Sequence, residues 1–385
     1  MKEFSFQTVK NLIFGVNSLT KLNDLASEYG IKKFLIVTDK GLIENELVDN
    51  VEKVLIEGGL DYCIFSEVVA DPPEEIVLRA VDTAKKESVD GIIGFGGGSS
   101  MDVAKLVSFL SISEQNLENI YGVDKAKGER LPLIQIPTTA GTGSEVTPIA
   151  IVTTGINEKK GVVSKILYAD VALLDPILTL NLPPKITAMT GIDAMVHAIE
   201  SYTSKYKKNK ISDAFAKEAL NLLGTNIEKA VFTGSDVEAR SNMLLGATIA
   251  GISFANSPVA AVHALAYPIG GHFHVPHGLS NSLVLPHVMR FNLPLASKYY
   301  AELARVTFPN IDFKGSNEEI AEKYIEELEG LIKKLNLPTK LREVGVGESD
   351  LEMMAEDAMK QERLLVNNPR ELKKEDAYSI YKAAF

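Results

Sequence analysis

The chain has 385 residues, of which 45% are hydrophobic and 24% are charged, an ordinary composition for a globular protein. This length exceeds what a single hydrophobic core usually organises, so we expect two domains. The net charge of −11 argues against a nucleic-acid partner, because the phosphates of a nucleic acid would be repelled.

Cys63 is the only cysteine in the sequence, so no disulfide can form within the chain and a reducing compartment is favoured. The N-terminal segment MKEFSFQTVKNLIFG lacks the continuous apolar run of a signal peptide. No segment approaches the roughly 18 apolar residues of a membrane-spanning helix. We therefore expect a cytoplasmic protein that contacts no membrane.

The first half of the chain, up to about residue 180, alternates short apolar runs with amphipathic stretches. Strands are predicted in four of these runs: KKFLIVTD (32–39), LDYCIFSEV (60–68), VDGIIGFGGGSS (89–100, ending in glycines) and LPLIQIPTT (131–139). Helices are predicted around residues 47–57, after the DPPEE segment (71–75) and in SMDVAKLVSFL after the glycines. Strands that alternate with helices predict a mostly parallel sheet covered on both faces.

The second half, from NLPPKITAMTG (181–191) onward, shows helical spacing of Ala, Leu, Glu and Lys and few strand signals. Pro183 and Pro184 suit the beginning of its first helix. We therefore predict an α/β domain over residues 1–182 and an all-α domain over residues 183–385, with a small-molecule site in a cleft between them.

A glycine-rich turn, GFGGGSSMDVAK (94–105), lies between a predicted strand and a predicted helix. Glycines let a ligand approach the backbone closely, and a helix N-terminus offers unpaired N–H groups to a phosphate. Gly97, Gly98 and Ser99 are therefore the candidate phosphate contacts. The alternative is a tight strand-to-helix turn without a ligand, and the pattern is not the G-x-G-x-x-G of an ordinary Rossmann motif.

A second turn, IPTTAGTGSEVT (136–147), is rich in hydroxyl groups that can bind a ribose or a pyrophosphate: Thr138, Thr139, Thr142 and Ser144. Asp39, at the end of the first predicted strand, can accept hydrogen bonds from an adenosine ribose. A carboxylate there would repel a 2′-phosphate, which favours NAD(H) over NADP(H). The alternative for Asp39 is a helix N-cap or a turn residue.

Five of the six histidines fall between positions 263 and 287. Asp193 and His197, in GIDAMVHAIE, are four residues apart, so on a helix they share one face. Such a pair can be a surface pair, a buried polar link or half of a metal site. Adding His263 and His277 gives one carboxylate and three imidazoles, a set that suits Zn²⁺ or Fe²⁺.

These motifs resemble those of the iron-containing (group III) alcohol dehydrogenases, in the same order and over nearly the full length. They are GGGSSMDVAK, PTTAGTGSEVT, TGIDAMVHAIE and the segment from His263 that ends in PHGLSNSLVLPHV. The resemblance implies a dinucleotide-binding α/β domain followed by an all-α metal-binding domain, a fold similar to that of dehydroquinate synthase. It also implies a homodimer or larger homo-oligomer.

The resemblance implies roles for individual residues. Asp193, His197, His263 and His277 would hold Fe²⁺, or alternatively Zn²⁺. Phe254 would line the substrate pocket beside the metal. The nicotinamide cofactor would contact residues of the α/β domain: Asp39, the Gly97–Ser99 turn, Asp102, the Thr138–Ser144 turn and Lys160. Many family members carry Asn at the position of Asp71, where a charge would alter adenosine binding.

One position departs from the pattern of some members, which use a second histidine, four residues after the ligand matching His263, in proton transfer. This chain has Tyr267 there. The proton role is then absent, taken by Tyr267 or passed to His272 or His274. The alternative for these two histidines is that they only line the mouth of the cleft.

The expected reaction is hydride transfer between a nicotinamide and a short primary alcohol or diol, or the corresponding aldehyde, at a Lewis-acid metal. Ile149, Ile151 and Phe254 favour a fairly apolar pocket for such a substrate. A hydroxyacid–oxoacid transhydrogenase is the nearer alternative, and it would turn over without added NAD. A dehydroquinate-synthase-like lyase is the other, but it would require several basic residues, and the His263 segment offers none before Arg290.

Overall fold

The computed structural model describes residues 3–155 and 158–385. The chain forms two compact units. We call residues Thr8–Thr139 and Gly143–Leu180 the α/β unit, and residues Met1–Gln7, Ala140–Thr142 and Asn181–Phe385 the helical unit.

The strands of the α/β unit are β1 Asn11–Phe14, β2 Lys33–Asp39, β3 Asp61–Val68, β4 Gly91–Gly96, β5 Gly122–Val123, β6 Leu133–Pro137, β7 Ile149–Thr154, β8 Glu158–Val163 and β9 Val171–Leu174. Its helices are α1 Leu22–Tyr29, α2 Lys40–Glu44, α3 Val48–Glu57, α4 Glu74–Lys86, α5 Gly98–Leu110 and α6 Leu117–Ile120. The helical unit contains α7 Pro184–Thr203, α8 Lys210–Phe232, α9 Val237–Asn256, α10 Ala261–Phe273, α11 His277–Thr307, α12 Asn317–Lys334, α13 Leu351–Met359, α14 Glu362–Leu365 and α15 Lys374–Ala384.

The main sheet of the α/β unit has the strand order β1-β9-β6-β4-β2-β3, and all of its pairings are parallel. Its central strands are buried along their whole length, as in the burial of every residue of β4, β6 and β9. Continuous apolar sequence is what a strand with two covered faces requires. The predicted fold class, an α/β domain followed by an all-α domain, is confirmed.

The four predicted strands correspond to β2, β3, β4 and β6. The sequence analysis missed β1 and β9, which have only four residues each and so show no periodicity. It also missed the small second sheet, in which β7 is antiparallel to β8 and β8 is parallel to β5. A two-residue strand such as β5 exists only through its partner, so no local pattern could have predicted it.

In the described part of the chain, no single helix is long and apolar enough to cross a membrane. The consecutive helices α9 and α10 satisfy the length and hydropathy criteria only as a pair, with a bend of 108° between them.

A buried ionic group anchors the edge of the main sheet. The Asp170 carboxylate accepts hydrogen bonds from Lys10 Nζ at 2.6 Å, from Arg130 Nη1 and from the Leu133 amide at 3.0 Å. Burial alone would raise the pKa of Asp170, but the hydrogen bond and charge of Arg130 outweigh it, so the pKa lies below the ordinary value of 3.8. The ionised form is therefore stabilised by folding.

The Asp170→Asn variant should lose about 3–5 kcal/mol of unfolding free energy, because the buried charge of Arg130 loses its carboxylate partner and keeps only backbone carbonyl acceptors. Urea denaturation measures this loss. The matched control is Asp24→Asn, whose exposed pair with Lys21 should contribute about 0–1 kcal/mol. Because the Asp170 pKa is lowered by folding, the difference between wild type and variant should be complete above pH 3.8 and shrink as the pH falls below it. Equal losses in the two variants would contradict the assignment.

Candidate metal centre and nucleotide-binding turns

Helix α7 carries two of the four candidate metal ligands. Every residue from Gly191 to Thr203 on this helix is buried, which is typical of a central helix packed on all sides. Asp193 and His197 are therefore only 2% and 5% exposed. A solvated surface pair is excluded for them.

The other two candidate ligands lie at the beginnings of neighbouring helices. His263 is the third residue of α10, and His277 is the first residue of α11. Gly278 lets α11 approach α7 closely, since a Cβ atom at this position would lie 2.3 Å from the Met189 carbonyl oxygen. One potential ligand atom from each of Asp193, His197, His263 and His277 lies within 4.8 Å of all the others.

The imidazole rings of this cluster are packed against one another. The ring centroids of His197 and His263 are 4.8 Å apart, and those of His263 and His277 are 5.3 Å apart. Phe254 stacks on His197 with a centroid distance of 4.4 Å. Burial lowers the pKa of His197 to about 3, so this ring is neutral near pH 7, the form that binds a metal ion.

The Asp193 carboxyl group behaves differently. Burial alone would raise its pKa, but the surrounding imidazoles, first His197, and a hydrogen bond from Asn281 bring the pKa below its ordinary value. The site thus combines an ionised carboxylate with a neutral imidazole in an apolar surrounding, a combination that suits a divalent cation.

Glu200 also belongs to this cluster, and the sequence analysis did not identify it. It follows Asp193 by seven positions and His197 by three on α7, so the three share one helix face. Its Oε2 atom lies 2.6 Å from His263 Nδ1, and its Oε1 atom accepts a hydrogen bond of 2.7 Å from the Val262 amide. The spacing of Asp193, His197 and Glu200, four and then three residues apart, is the sequence signal that could have identified Glu200.

Asn281, one turn after His277 on α11, was also missed. Its Nδ2 atom donates to Asp193 Oδ1 at 2.6 Å, and it lies 3.4 Å from His263 Nε2 and 3.3 Å from His277 Nε2. An amide group has two N–H hydrogens, whereas three potential acceptor atoms converge on it. A cation among these atoms would satisfy them better than the amide does.

The charges of the cluster favour the same conclusion. Asp193 and Glu200 are 2% and 3% exposed, and neither has a Lys or Arg partner among residues 3–155 and 158–385. Buried carboxylates without a cation are unstable in an apolar environment. A divalent cation held by Asp193 and the three histidines would compensate both carboxylates.

The three candidate proton-relay residues lie at different places in the helical unit. Tyr267 is one turn after His263 on α10, and its ring centroid is 6.0 Å from that of His277. His272 is exposed, and its Nε2 atom lies 2.6 Å from Asp357 Oδ2 on α13. His274, also exposed, ends α10 in the left-handed conformation with φ of 54°. Only Tyr267 of the three is in ring contact with a candidate ligand.

The α/β unit brings the predicted dinucleotide contacts to one edge of its sheet. The adjacent parallel strands β2, β4 and β6 end at Asp39, at the Gly97–Ser99 turn and at Thr138, respectively. The chain also reverses its winding direction between β2 and β4. In open α/β sheets, ligands bind beyond the carboxyl ends of the strands at such a reversal.

The glycines at the end of β4 differ in their structural surroundings. A Cβ atom at Gly94 would lie 1.9 Å from the Gln135 side-chain oxygen, so this glycine is required by packing. Gly96 has φ of 144°, which disfavours other residues. A Cβ atom at Gly97 would meet nothing closer than Thr139 at 3.8 Å. The open space therefore lies above Gly97, at the N-terminus of α5.

Asp39 is the N-cap of α2, and its Oδ1 atom accepts a hydrogen bond from the Leu42 amide at 3.1 Å. Asp39 therefore has the helix N-cap role that the sequence analysis gave as the alternative to ribose binding.

Asp71 has φ of 52° and forms an ion pair with Lys159 at 2.6 Å. Lys160 Nζ, another predicted cofactor contact, lies over the Tyr121 ring at 5.9 Å from its centroid. Thr142 belongs to the helical unit, whereas Thr138, Thr139 and Ser144 belong to the α/β unit.

The side chains of Asp102 and Ser144 are joined by a hydrogen bond. Asp102 Oδ1 accepts from Ser144 Oγ at 2.6 Å, and Oδ2 accepts from the Ile151 amide at 2.9 Å. The fully buried Lys105 donates to Ser144 Oγ at 2.7 Å and to the Ile149 carbonyl at 2.6 Å. Burial lowers the pKa of Lys105, and the facing Asp102 opposes this shift. These bonds tie the hydroxyl-rich turn to α5, a supporting role that the sequence analysis did not foresee.

Two family models match the chain. Iron-containing alcohol dehydrogenase matches residues 10–176, and the C-terminal region of the Fe-containing alcohol dehydrogenase family matches residues 187–385. Long-chain-alcohol dehydrogenase 1 of Geobacillus thermodenitrificans (strain NG80-2) is 40% identical over 375 residues, covering 96% of this chain and 94% of that protein.

The chain belongs to the iron-containing alcohol dehydrogenase family. The crystal structure of a 1,3-propanediol oxidoreductase has a TM-score of 0.96 with 34% identity and full coverage of both chains. Sulfoacetaldehyde reductase from Bifidobacterium kashiwanohense, solved in complex with NAD⁺, has a TM-score of 0.89 with 26% identity and covers 100% of this chain and 99% of its own. The predicted family and enzyme class, an oxidoreductase of the alcohol dehydrogenase type, are confirmed.

In this alcohol dehydrogenase, the Lys105→Met variant should lose about 3–5 kcal/mol of unfolding free energy, because Ser144 and the Ile149 carbonyl lose a buried charged donor. The loosened turn should also bind NADH more weakly, which NADH fluorescence titration measures. Lys127→Met, a change at an exposed lysine, is the matched control and should alter neither quantity. Wild-type stability and NADH affinity in the Lys105 variant would refute the supporting role.

Proposed function

We propose that this chain is a metal-dependent, NAD(H)-linked alcohol dehydrogenase and aldehyde reductase whose metal ligands are Asp193, His197, His263 and His277. The observation that carries the proposal is the convergence of ligand atoms from these four side chains within 4.8 Å, where neither Asp193 nor the nearby Glu200, both buried, has a Lys or Arg partner among the described residues. A divalent metal at this centre would act as a Lewis acid toward the substrate oxygen, and the nicotinamide would exchange the hydride.

We propose Fe²⁺ as the first candidate and Zn²⁺ as the second, since one carboxylate and three imidazoles suit both ions. Asp39 supports NAD(H) over NADP(H), because its carboxylate at the end of β2 would repel a 2′-phosphate. The remaining candidate cofactor contacts are those at the same edge of the sheet, with Asp71, Lys160 and Thr142 as further candidates.

The chain's own residues would bind and orient the substrate. Phe254, stacked on His197, gives an apolar surface beside the ligands, which favours the carbon chain of a short primary alcohol or diol. Tyr267 would move the proton, since it is the relay candidate that contacts a ligand ring. From the family resemblance we also propose a cytoplasmic homodimer or larger homo-oligomer.

The metal requirement can be tested with metal-stripped protein under anaerobic conditions, following NADH absorbance with a panel of short aldehydes while Fe²⁺ or Zn²⁺ is added. NADH oxidation should depend on the metal. The rate of NADH oxidation should fall at least about 100-fold in His263→Ala, which removes a proposed ligand. Removing only a residue that hydrogen-bonds to a ligand typically costs 10–100-fold. His287→Gln is the control, since burial lowers the pKa of His287 to about 4 and its neutral ring lies outside the ligand cluster.

If no aldehyde is reduced with either metal, the proposed activity is wrong. Turnover between a hydroxyacid and an oxoacid without added NAD would then identify a transhydrogenase.

Tyr267→Phe should lower kcat by about 100-fold, the lower range for loss of a general acid–base group, while Zn²⁺ affinity stays at the wild-type value. Tyr267→His should restore part of the rate, because imidazole can also carry the proton. Tyr206→Phe, at a tyrosine that is 52% exposed, is the control and should have no effect. A wild-type kcat in Tyr267→Phe would remove Tyr267 from the proton path.

A further inference from the structure

Glu200 joins α7 to α10 through both of its carboxylate oxygens. Oε2 contacts His263 Nδ1, and Oε1 accepts from the Val262 amide, which is one of the unpaired N–H groups of the first turn of α10. Helix α10 needs such a partner, because its N-cap residue is Ala260, which has no side-chain cap. Glu200 therefore caps α10 and contacts a candidate metal ligand at the same time.

We propose that Glu200 is the positioning residue of the metal centre: it fixes the orientation and the tautomer of His263 and supplies the second negative charge that retains a divalent cation. This inference rests on the proposed metal centre. Glu200 is not a ligand in it, since both of its oxygens are already engaged with α10.

The tautomer follows from the hydrogen bond. With the Glu200 carboxylate as the acceptor, the contact of 2.6 Å assigns the hydrogen of the His263 ring to Nδ1. The lone pair is then on Nε2, the atom that lies 3.4 Å from Asn281 Nδ2 in the ligand cluster. A carboxylate behind a metal-binding imidazole also raises the basicity of the ring.

The position of Glu200 is held by packing. The side chain is 4% exposed and lies on the buried face of α7, next to the turn that carries His197. A shift of Glu200 would therefore move His263 relative to two ligands on a different helix. Among the described residues, Glu200 has no Lys or Arg partner, so a cation held by the neighbouring ligand cluster would compensate its charge.

The test is the Zn²⁺ affinity of the full-length protein, measured by competition with a chromophoric chelator. Glu200→Gln can keep its one side-chain oxygen as the acceptor for the Val262 amide, and its NH2 group then faces His263 Nδ1 as a donor instead of an acceptor. The variant should bind Zn²⁺ about 10–100-fold more weakly than wild type. Glu302→Gln, in which a half-exposed acid of α11 is changed in the same way, is the matched control and should bind like wild type.

A second measurement reports the tautomer directly. In metal-free protein labelled with ¹⁵N-histidine, the imidazole ¹⁵N shifts of His263 should show hydrogen on Nδ1 in wild type and a substantial Nε2–H population in Glu200→Gln. A merely structural role for Glu200 would not move this equilibrium. The His263→Asn spectrum assigns the resonance.

Zn²⁺ affinity in Glu200→Gln within about threefold of wild type, or an unchanged tautomer, would overturn the inference while leaving the metal centre intact. If the Gln variant does not fold, Glu200→Asp decides: it keeps the charge but is one methylene too short to reach both α10 partners, so its Zn²⁺ affinity should also fall, and wild-type affinity would overturn the proposal. If wild type binds neither Zn²⁺ nor Fe²⁺, the proposed function itself fails.

Discussion

The constraint on which the helical unit depends is the burial of two carboxylates on one face of α7. Asp193 and Glu200 lie in a helix that is buried from Gly191 to Thr203, so water cannot solvate them. The cost of this burial is tolerable only if each oxygen has a donor and the charges have a cation. The positions of His263, His277 and Asn281 follow from this need, as does the close approach of α11 at Gly278.

The α/β unit also buries a charged side chain, but this one is a cation. Lys105 is fully buried and has no surface access, yet its donors meet the Asp102 carboxylate, two hydroxyl groups and a carbonyl. The network contains its own cation, and it ties the turn that follows β6 to α5. In the helical unit, by contrast, the two buried carboxylates have no Lys or Arg partner among the described residues. The α/β network therefore carries its compensating charge, whereas the charges of the helical cluster would be compensated by a bound cation.

The sequence allowed the fold class and the histidine cluster to be predicted because both depend on local patterns. The pattern of the apolar residues separates β2, β3, β4 and β6 from the helices, and His263 to His277 are close together in the chain. Glu200 stands in the same motif as Asp193, but its partner His263 is 63 residues further along, so the bond appears only in the folded chain. The strand β9 and the Asp102–Ser144 hydrogen bond could not be predicted from the sequence for the same reason. Each depends on a partner that is distant in the chain rather than on neighbouring residues.

The proposed metal ligands, Glu200 and Asn281 all belong to the helical unit, whereas the strand ends that favour a dinucleotide belong to the α/β unit. The metal ion and the nucleotide would therefore be bound by separate sets of side chains, each with its own supporting network. Glu200 supports the ligands through α10, and Lys105 supports the turn after β6 through α5. A change in either network should alter the binding equilibrium of the ligand whose contacts that network holds. Separate affinities for metal and nucleotide are thus more informative about these residues than turnover alone.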